Sequence, residues 1–151
     1  IDWMRLVLAM HDIWKAIDRA TPHIYTQSLI REFWSESPFT DYELKLVEAL
    51  LKDDHLGKFF QGKYDCNMLQ EEIKKDAEEL QIDASCLLQL KMVLYQCDIA
   101  SYTKDAGGLR YLEHMFVYEN NKKTFNEENG LLAMSADYWS RYKQLKSLIY
   151  E

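Results

Sequence analysis

The sequence predicts an all-α fold, a single compact multi-helix domain over residues 1–151, and three observations support this. Glycine and proline, which interrupt helices, number only 5 and 2. Apolar residues recur three and four positions apart, as in amphipathic helices, and strict strand-like alternation is weak throughout. Residues that favour helix N-termini precede several of these periodic stretches, at Thr21, Thr40, Asp83 and Ser135. We therefore expect at least five helices and no sheet of more than two short strands.

The N-terminal part of the chain predicts two helices. The first covers residues 3–19, where the apolar spacing is helical. Thr21 then caps a second helix that ends near residue 34, because Pro22 suits the first helical position. The segment 35–39 contains a proline and separates this helix from the next.

The third helix has the clearest start signal in the chain. Thr40 and Glu43 have the spacing of a capping box, in which each side chain bonds the backbone of the other residue. The helix is predicted to end near residues 53–54, with a turn at 55–57. Its apolar stripe is predicted to consist of Leu44, Val47, Leu50 and Leu51.

The remaining elements follow from the same signals. An aromatic-rich link at residues 58–64 has room for a short helix, and residues 120–130 are polar enough to form a loop. Asp83 or Ser85 caps a long helix. Helices are predicted over residues 67–80, from that cap to 103, over 109–118 and over 136–150.

Charge and cysteine content restrict the function. A net charge of −7 argues against general binding to a nucleic-acid backbone, although a site metal still permits a small phosphorylated substrate. The cysteines Cys66, Cys86 and Cys97 are odd in number and lack a C-x-x-C motif, which favours a reducing cytoplasm over a disulfide framework. No apolar run reaches ~20 residues, so we expect no membrane span.

Two acidic residues stand on apolar helix faces. Asp12 follows His11, and Lys15 lies on the same helix face as both. Asp98 is predicted to continue a stripe formed by Leu87, Leu90 and Leu94. A carboxylate in such a place needs a metal ion, a cation or a good donor. For Asp98, the alternative is a helix-edge carboxylate paired with a lysine or a backbone donor, and for Lys15 it is a salt bridge to Asp12 or Asp18.

The stretch LVLAMHDIWKA, residues 6–16, resembles the central helix of HD-domain metal-dependent phosphohydrolases, although Trp14 stands where that family often has glycine. The stretch around Asp98 resembles the family's helix with the last aspartate ligand. The resemblance implies an HD-like helical fold and a divalent metal, of identity left open, bound by His11, Asp12 and Asp98. The family's first histidine precedes the His-Asp pair, and residues 1–10 contain none. We therefore expect the chain to be an excerpt, and the alternative is a degenerate site.

The resemblance implies hydrolysis of a phosphate ester, by a phosphodiesterase or phosphomonoesterase that acts on a nucleotide or another phosphorylated small molecule. The metal would lower the pKa of a bound water, and Lys15 and His55 would stabilise the developing charge. Residues 46–57 resemble the helix that ends in a pocket-lining histidine in several such proteins. The alternative for His55 is a histidine that opposes the dipole at a helix C-terminus. The alternative for the whole chain is a non-catalytic helical interaction or regulatory module.

Overall fold

A computed structural model of the chain describes residues 4–5, 7–8, 30–32, 39–101 and 114–150. These residues form five named helices and two small antiparallel strand pairs, so the all-α prediction is confirmed. The chain divides into two compact units, residues 1–54 with 79–81 and residues 55–78 with 82–151. The predicted helices over residues 3–19 and 21–34 lie mostly outside the described residues. The residues described there, 4–5, 7–8 and 30–32, are helical.

Helix α1 (Asp41–Leu51) of the first unit begins with the predicted capping box. The Glu43 backbone N–H donates to Thr40 Oγ1 at 3.2 Å, and the Thr40 N–H donates to Glu43 Oε2 at 2.8 Å. These two bonds satisfy backbone donors that a helix start otherwise leaves unpaired. Hydrogen bonds from the backbone and side chain of Thr40 favour the charged form of the Glu43 carboxyl. The pKa of Glu43 therefore lies below its ordinary value.

The buried face of α1 differs in part from the predicted stripe. Val47 and Leu50 are buried as expected, whereas Leu44 and Leu51 are only half-buried. Leu46 is buried although it was not expected on this face. A helix packed in a globular core buries a face wider than a single line of residues, which accommodates Leu46 beside Val47.

The second unit contains helices α2 (His55–Phe60), α3 (Cys66–Leu80), α4 (Ala84–Ser101) and α5 (Ala136–Tyr150). The last two residues of α3 belong to the first unit. Asp65 caps α3, because its Oδ1 accepts from the backbone N–H groups of Asn67 and Met68 at 2.8 and 3.1 Å. Asp83 directly precedes α4, and its carbonyl accepts the first helical bond, from the Leu87 N–H. Asp83 is therefore the cap of α4, and Ser85 lies inside the helix.

The core of the second unit is apolar and aromatic. The Phe60 ring stacks against those of Tyr95 on α4 and Tyr138 on α5, with ring centroids 5.2 and 5.8 Å apart. This places α2 against the two longer helices. Burial of apolar area is the main stabilising term of such a core. Its most deeply buried side chains include Ile73, Leu87, Leu88, Met92, Met115, Leu131, Tyr142 and Leu145.

Residues 116–134 form strand pairs, contrary to the prediction of a helix over 109–118 and a loop over 120–130. Strands β1 (Tyr118–Glu119) and β2 (Lys122–Lys123) pair antiparallel, as do β3 (Phe125–Asn126) and β4 (Leu131–Leu132). Residues 116–118 are thus not helical, and residues 109–113 lie outside the described part. The turn residues Asn120 and Asn121 have φ of 51° and 61°, as a two-residue type I′ hairpin turn requires.

Helix α4 binds the second strand pair through side-chain amides. Gln96 exchanges two hydrogen bonds with the backbone of Leu132, and Gln89 Nε2 donates to the Asn129 carbonyl at 2.8 Å. The small strands are therefore held by a helix, since isolated two-stranded pairs are marginal in water. None of the helices in the described ranges combines the length and the apolar character that a membrane span needs.

Candidate metal centre

His55 is the first residue of α2, where the sequence predicted a turn. The helix forms because Leu56, Phe59 and Phe60 recur at helical spacing and are all buried. Helix α1 has already ended at Leu51, so His55 does not oppose the dipole of a helix C-terminus. The alternative from the sequence, a histidine at a helix C-terminus, therefore does not describe this residue.

The His55 ring lies beside a carboxylate of the next helix. His55 Nδ1 is 2.9 Å from Glu72 Oε2, and both side chains are half-buried, at 27% and 35% exposure. Glu72 is in the middle of α3, 17 residues further along the chain. The pair thus places a nitrogen and an oxygen donor atom side by side at a half-exposed position.

Tyr64 contacts both members of this pair. Its ring stacks on that of His55, with centroids 4.2 Å apart and planes 9° apart. Its hydroxyl donates to Glu72 Oε1 at 2.5 Å, so each oxygen of this carboxylate has a protein contact. Tyr64 therefore fixes the plane of the imidazole and the rotation of the carboxylate, which is what outer contacts do at metal sites.

The chain reverses after α2, and this reversal puts Tyr64 in place. Gly62, with φ of 75°, occupies the left-handed position that ends many helices. The Gly62 N–H donates to the Phe59 carbonyl at 2.9 Å and the Lys63 N–H to the Lys58 carbonyl at 2.8 Å. These are the two bonds of a Schellman motif, and they turn residues 63–65 towards the start of α3.

His55 and Glu72 supply donor types that a divalent ion binds. An imidazole nitrogen and a carboxylate oxygen are ligands for divalent ions such as Mg²⁺, Mn²⁺, Fe²⁺ and Zn²⁺.

The cysteine nearest to this cluster along the chain has other properties. Cys66, the first residue of α3, is buried and forms no disulfide. Burial, and secondarily the adjacent Asp65 carboxylate, raises the pKa of its thiol. Burial thus disfavours the thiolate of Cys66, which is the form of cysteine that acts as a nucleophile and as a metal ligand.

The residues that the sequence singled out are only partly described. His11, Asp12 and Lys15 lie outside the described residues, so their convergence with Asp98 stays a prediction. Asp98 is half-buried on α4, as is Leu90 of the predicted stripe, whereas Leu87 and Leu94 are buried. Within the described ranges, Asp98 does not join His55 in a metal-capable group.

The sequence analysis found His55 but missed its partners Tyr64 and Glu72. Glu72 belongs to a run of acidic and basic residues between 71 and 79, which was interpreted as a solvated helix face. Its proximity to His55 depends on the tight reversal at Gly62, for which the glycine is the only local signal.

Comparison of the chain with protein-family models, with curated proteins and with solved structures gave no match.

Proposed function

We propose that this protein binds a divalent metal ion through His55 and Glu72 and hydrolyses a phosphate ester of a small molecule. The observation that carries the proposal is the 2.9 Å approach of the His55 imidazole to the Glu72 carboxylate, which Tyr64 also holds.

The phosphohydrolase part of the proposal rests on the sequence resemblance. In that reading His11, Asp12 and Asp98 form the metal set of an HD-like site, and Lys15 neutralises phosphate charge. His55 contributes from its own cluster, either to a metal shell or to the phosphate. When bound, a divalent metal lowers the pKa of a coordinated water and polarises phosphoryl oxygens.

The protein groups have distinct tasks in this proposal. Glu72 supplies negative charge to the ion, and the His55 ring supplies a nitrogen ligand. Tyr64 holds both Glu72 and His55 in place, so that less freedom is lost when the ion binds. We also propose a cytoplasmic location, which agrees with the free state of Cys66, Cys86 and Cys97.

One observation favours the rival function, a non-catalytic helical module. The His55–Glu72 pair and the Tyr64–Glu72 hydrogen bond are already formed between protein groups. In the rival function, the pair simply connects α2 to α3. In that case metal would have no measurable affinity for the cluster, and removing Glu72 would affect stability alone.

Metal binding to the purified protein distinguishes the two functions. Elemental analysis should show bound metal, and calorimetric titration with Mn²⁺ should show an ion whose binding depends on Glu72. Glu72→Gln should weaken binding about 10- to 100-fold, whereas Glu71→Gln, the neighbouring exposed acid, should leave it unchanged. Binding that is equal in the two variants would exclude the proposed ligand set.

Hydrolysis requires its own test. The metal-loaded protein should cleave bis(p-nitrophenyl) phosphate or p-nitrophenyl phosphate, and chelation should abolish the reaction. Asp12→Ala and Glu72→Gln should each lose activity, and Glu71→Gln should retain it. Metal binding at Glu72 without any phosphate-ester cleavage would leave a metal-binding module and reject the phosphohydrolase.

A further inference from the structure

We infer that two copies of this chain associate, with the loop between β3 and β4 of one copy docked on an exposed stripe of α5 of the other. The association does not depend on the proposed metal site. Both surfaces belong to the second unit, and each combines an exposed aromatic ring with two charges of one sign. The net charge of −7 opposes association in general, so contact between copies requires a local match of opposite charges.

The first surface, the basic stripe, consists of Trp139, Lys143, Lys146 and Tyr150 on α5. These residues are four, three and four positions apart, which places them on one helix face. Lys143 Nζ lies 6.0 Å from the centre of the Trp139 ring, and Lys146 Nζ lies 5.3 Å from that of Tyr150. No carboxylate in the described part of the chain pairs with either lysine. The stripe therefore presents two positive charges held against aromatic rings.

The second surface, the acidic tip, consists of Phe125 at the start of β3 and the loop residues Glu127 and Glu128. Phe125 is 69% exposed, and both glutamates are exposed. Among the described residues, neither glutamate carboxylate has an ion-pair partner. The tip therefore has the composition that the basic stripe lacks, two negative charges beside an uncovered ring.

Two asparagines hold the acidic tip in a fixed shape. Asn126 Oδ1 accepts from the Glu128 N–H, and the Asn126 carbonyl accepts from the Gly130 N–H, both at 2.9 Å. Asn129 Oδ1 accepts from the Leu131 N–H, also at 2.9 Å. Because the loop is already ordered, it loses little further conformational freedom when it docks.

The two surfaces do not cover each other within one copy. Phe125 and Tyr150, at 69% and 64% exposure, are the two most exposed large apolar side chains among the described residues. Both surfaces lie in the same compact unit, so they can meet only between copies. Such a contact pairs lysines with glutamates and covers two aromatic rings, a residue class enriched in protein interfaces. A dimer with two-fold symmetry would form the contact twice.

Sedimentation equilibrium of the purified full chain measures the association. A loop tip on one helix stripe is smaller than a standard interface, so we expect a Kd on the order of 100 µM. Lys146→Glu should raise the Kd about 10-fold or more, because it places like charges together. Lys45→Glu makes the same change of charge at an exposed position of α1 and is the matched control, with a Kd within about 2-fold of wild type.

Charge reversal on each surface tests their pairing directly. Lys143→Glu/Lys146→Glu and Glu127→Lys/Glu128→Lys should each be monomeric alone, because tip and stripe then carry charges of the same sign. Their equimolar mixture should associate, since each tip meets a stripe of opposite sign. Both variants keep a net negative charge, so general attraction does not contribute.

Three results would overturn the inference. One is a mixture that stays monomeric although both variants keep the helical circular dichroism of wild type. Another is a wild-type chain that is monomeric up to about 1 mM. The third is an increase in Kd for Lys45→Glu that equals the increase for Lys146→Glu, since the effect would then come from net charge alone.

Discussion

The side-chain amide of Gln96 pairs with the backbone of Leu132 as a neighbouring strand would. Its Oε1 accepts from the Leu132 N–H at 2.8 Å, and its Nε2 donates to the Leu132 carbonyl at 2.9 Å. Gln96 is only 3% exposed, although glutamine is usually a surface residue. Its burial is tolerated because both polar atoms are hydrogen-bonded. The Gln96 amide on α4 thereby pairs backbone groups of β4 that a third strand would otherwise pair.

Replacement of Gln96 should be costly. Gln96→Leu fills a similar volume but leaves the N–H and the carbonyl of Leu132 without this partner, so we expect a loss of about 2 kcal/mol or more in the free energy of unfolding. Urea denaturation measures it. Gln89→Leu removes a single bond to Asn129 from a half-buried position and should cost about half as much. An equal loss in both variants would show that the two hydrogen bonds of Gln96 stabilise the fold no more than the single one of Gln89.

Truncation of a buried side chain of α1 should also lower the free energy of unfolding. Leu50 is 4% exposed, and Leu50→Ala should lower the free energy of unfolding by ~2–5 kcal/mol, provided that the site cannot collapse. Leu51→Ala, at the half-buried neighbouring position, is the control and should cost less. A loss at Leu50 no larger than that at Leu51 would mean that the buried face of α1 has been assigned incorrectly.

The capping box makes stability depend on pH. Because Thr40 lowers the pKa of Glu43 in the folded state, the carboxylate contributes stability above its unfolded pKa, and this contribution disappears as pH falls through the lower folded value. Glu43→Gln keeps the hydrogen bonds of the box without a titrating group. Thermal unfolding between pH 7 and 3 should therefore show a smaller decline for Glu43→Gln than for wild type. Parallel curves would contradict the linkage.

The hairpin turn offers a stabilising substitution. Asn120 and Asn121 both adopt positive φ, and the second position of a type I′ turn favours glycine. Asn121→Gly should raise the melting temperature slightly, whereas Asn121→Val should cost about 1–2 kcal/mol because a β-branched residue is strained there. Differential scanning calorimetry of the two variants checks both signs. A tolerated valine would rule out the positive φ at this position.

Local signals in the sequence predicted most helix boundaries. The start of α1 follows from Thr40 and Glu43, and that of α4 from Asp83, because a capping side chain acts within one turn of its own helix. The strand pairs were not predictable in this way. They depend on Gln96 and Leu132, which are 36 residues apart, and each strand contains only two residues, too few to show alternation.

The candidate site was only half predictable for a similar reason. His55 was identified from its residue type and its position after a helix. Tyr64 and Glu72 were not, because no spacing rule connects them to a histidine across a reversal at Gly62. The choice between this cluster and the set of His11, Asp12 and Asp98 depends on distances between elements, which a single sequence does not encode in any local pattern.

Helix α2 has six residues, too few to persist in water without support. Its order comes from the buried rings of Phe59 and Phe60, and Phe60 contacts both α4 and α5. The amide protons of α2 should therefore exchange with deuterium no faster than those of α4 and α5. If α2 and the core around Tyr142 and Leu145 of α5 open together, a ligand at His55 should also slow exchange at these two residues.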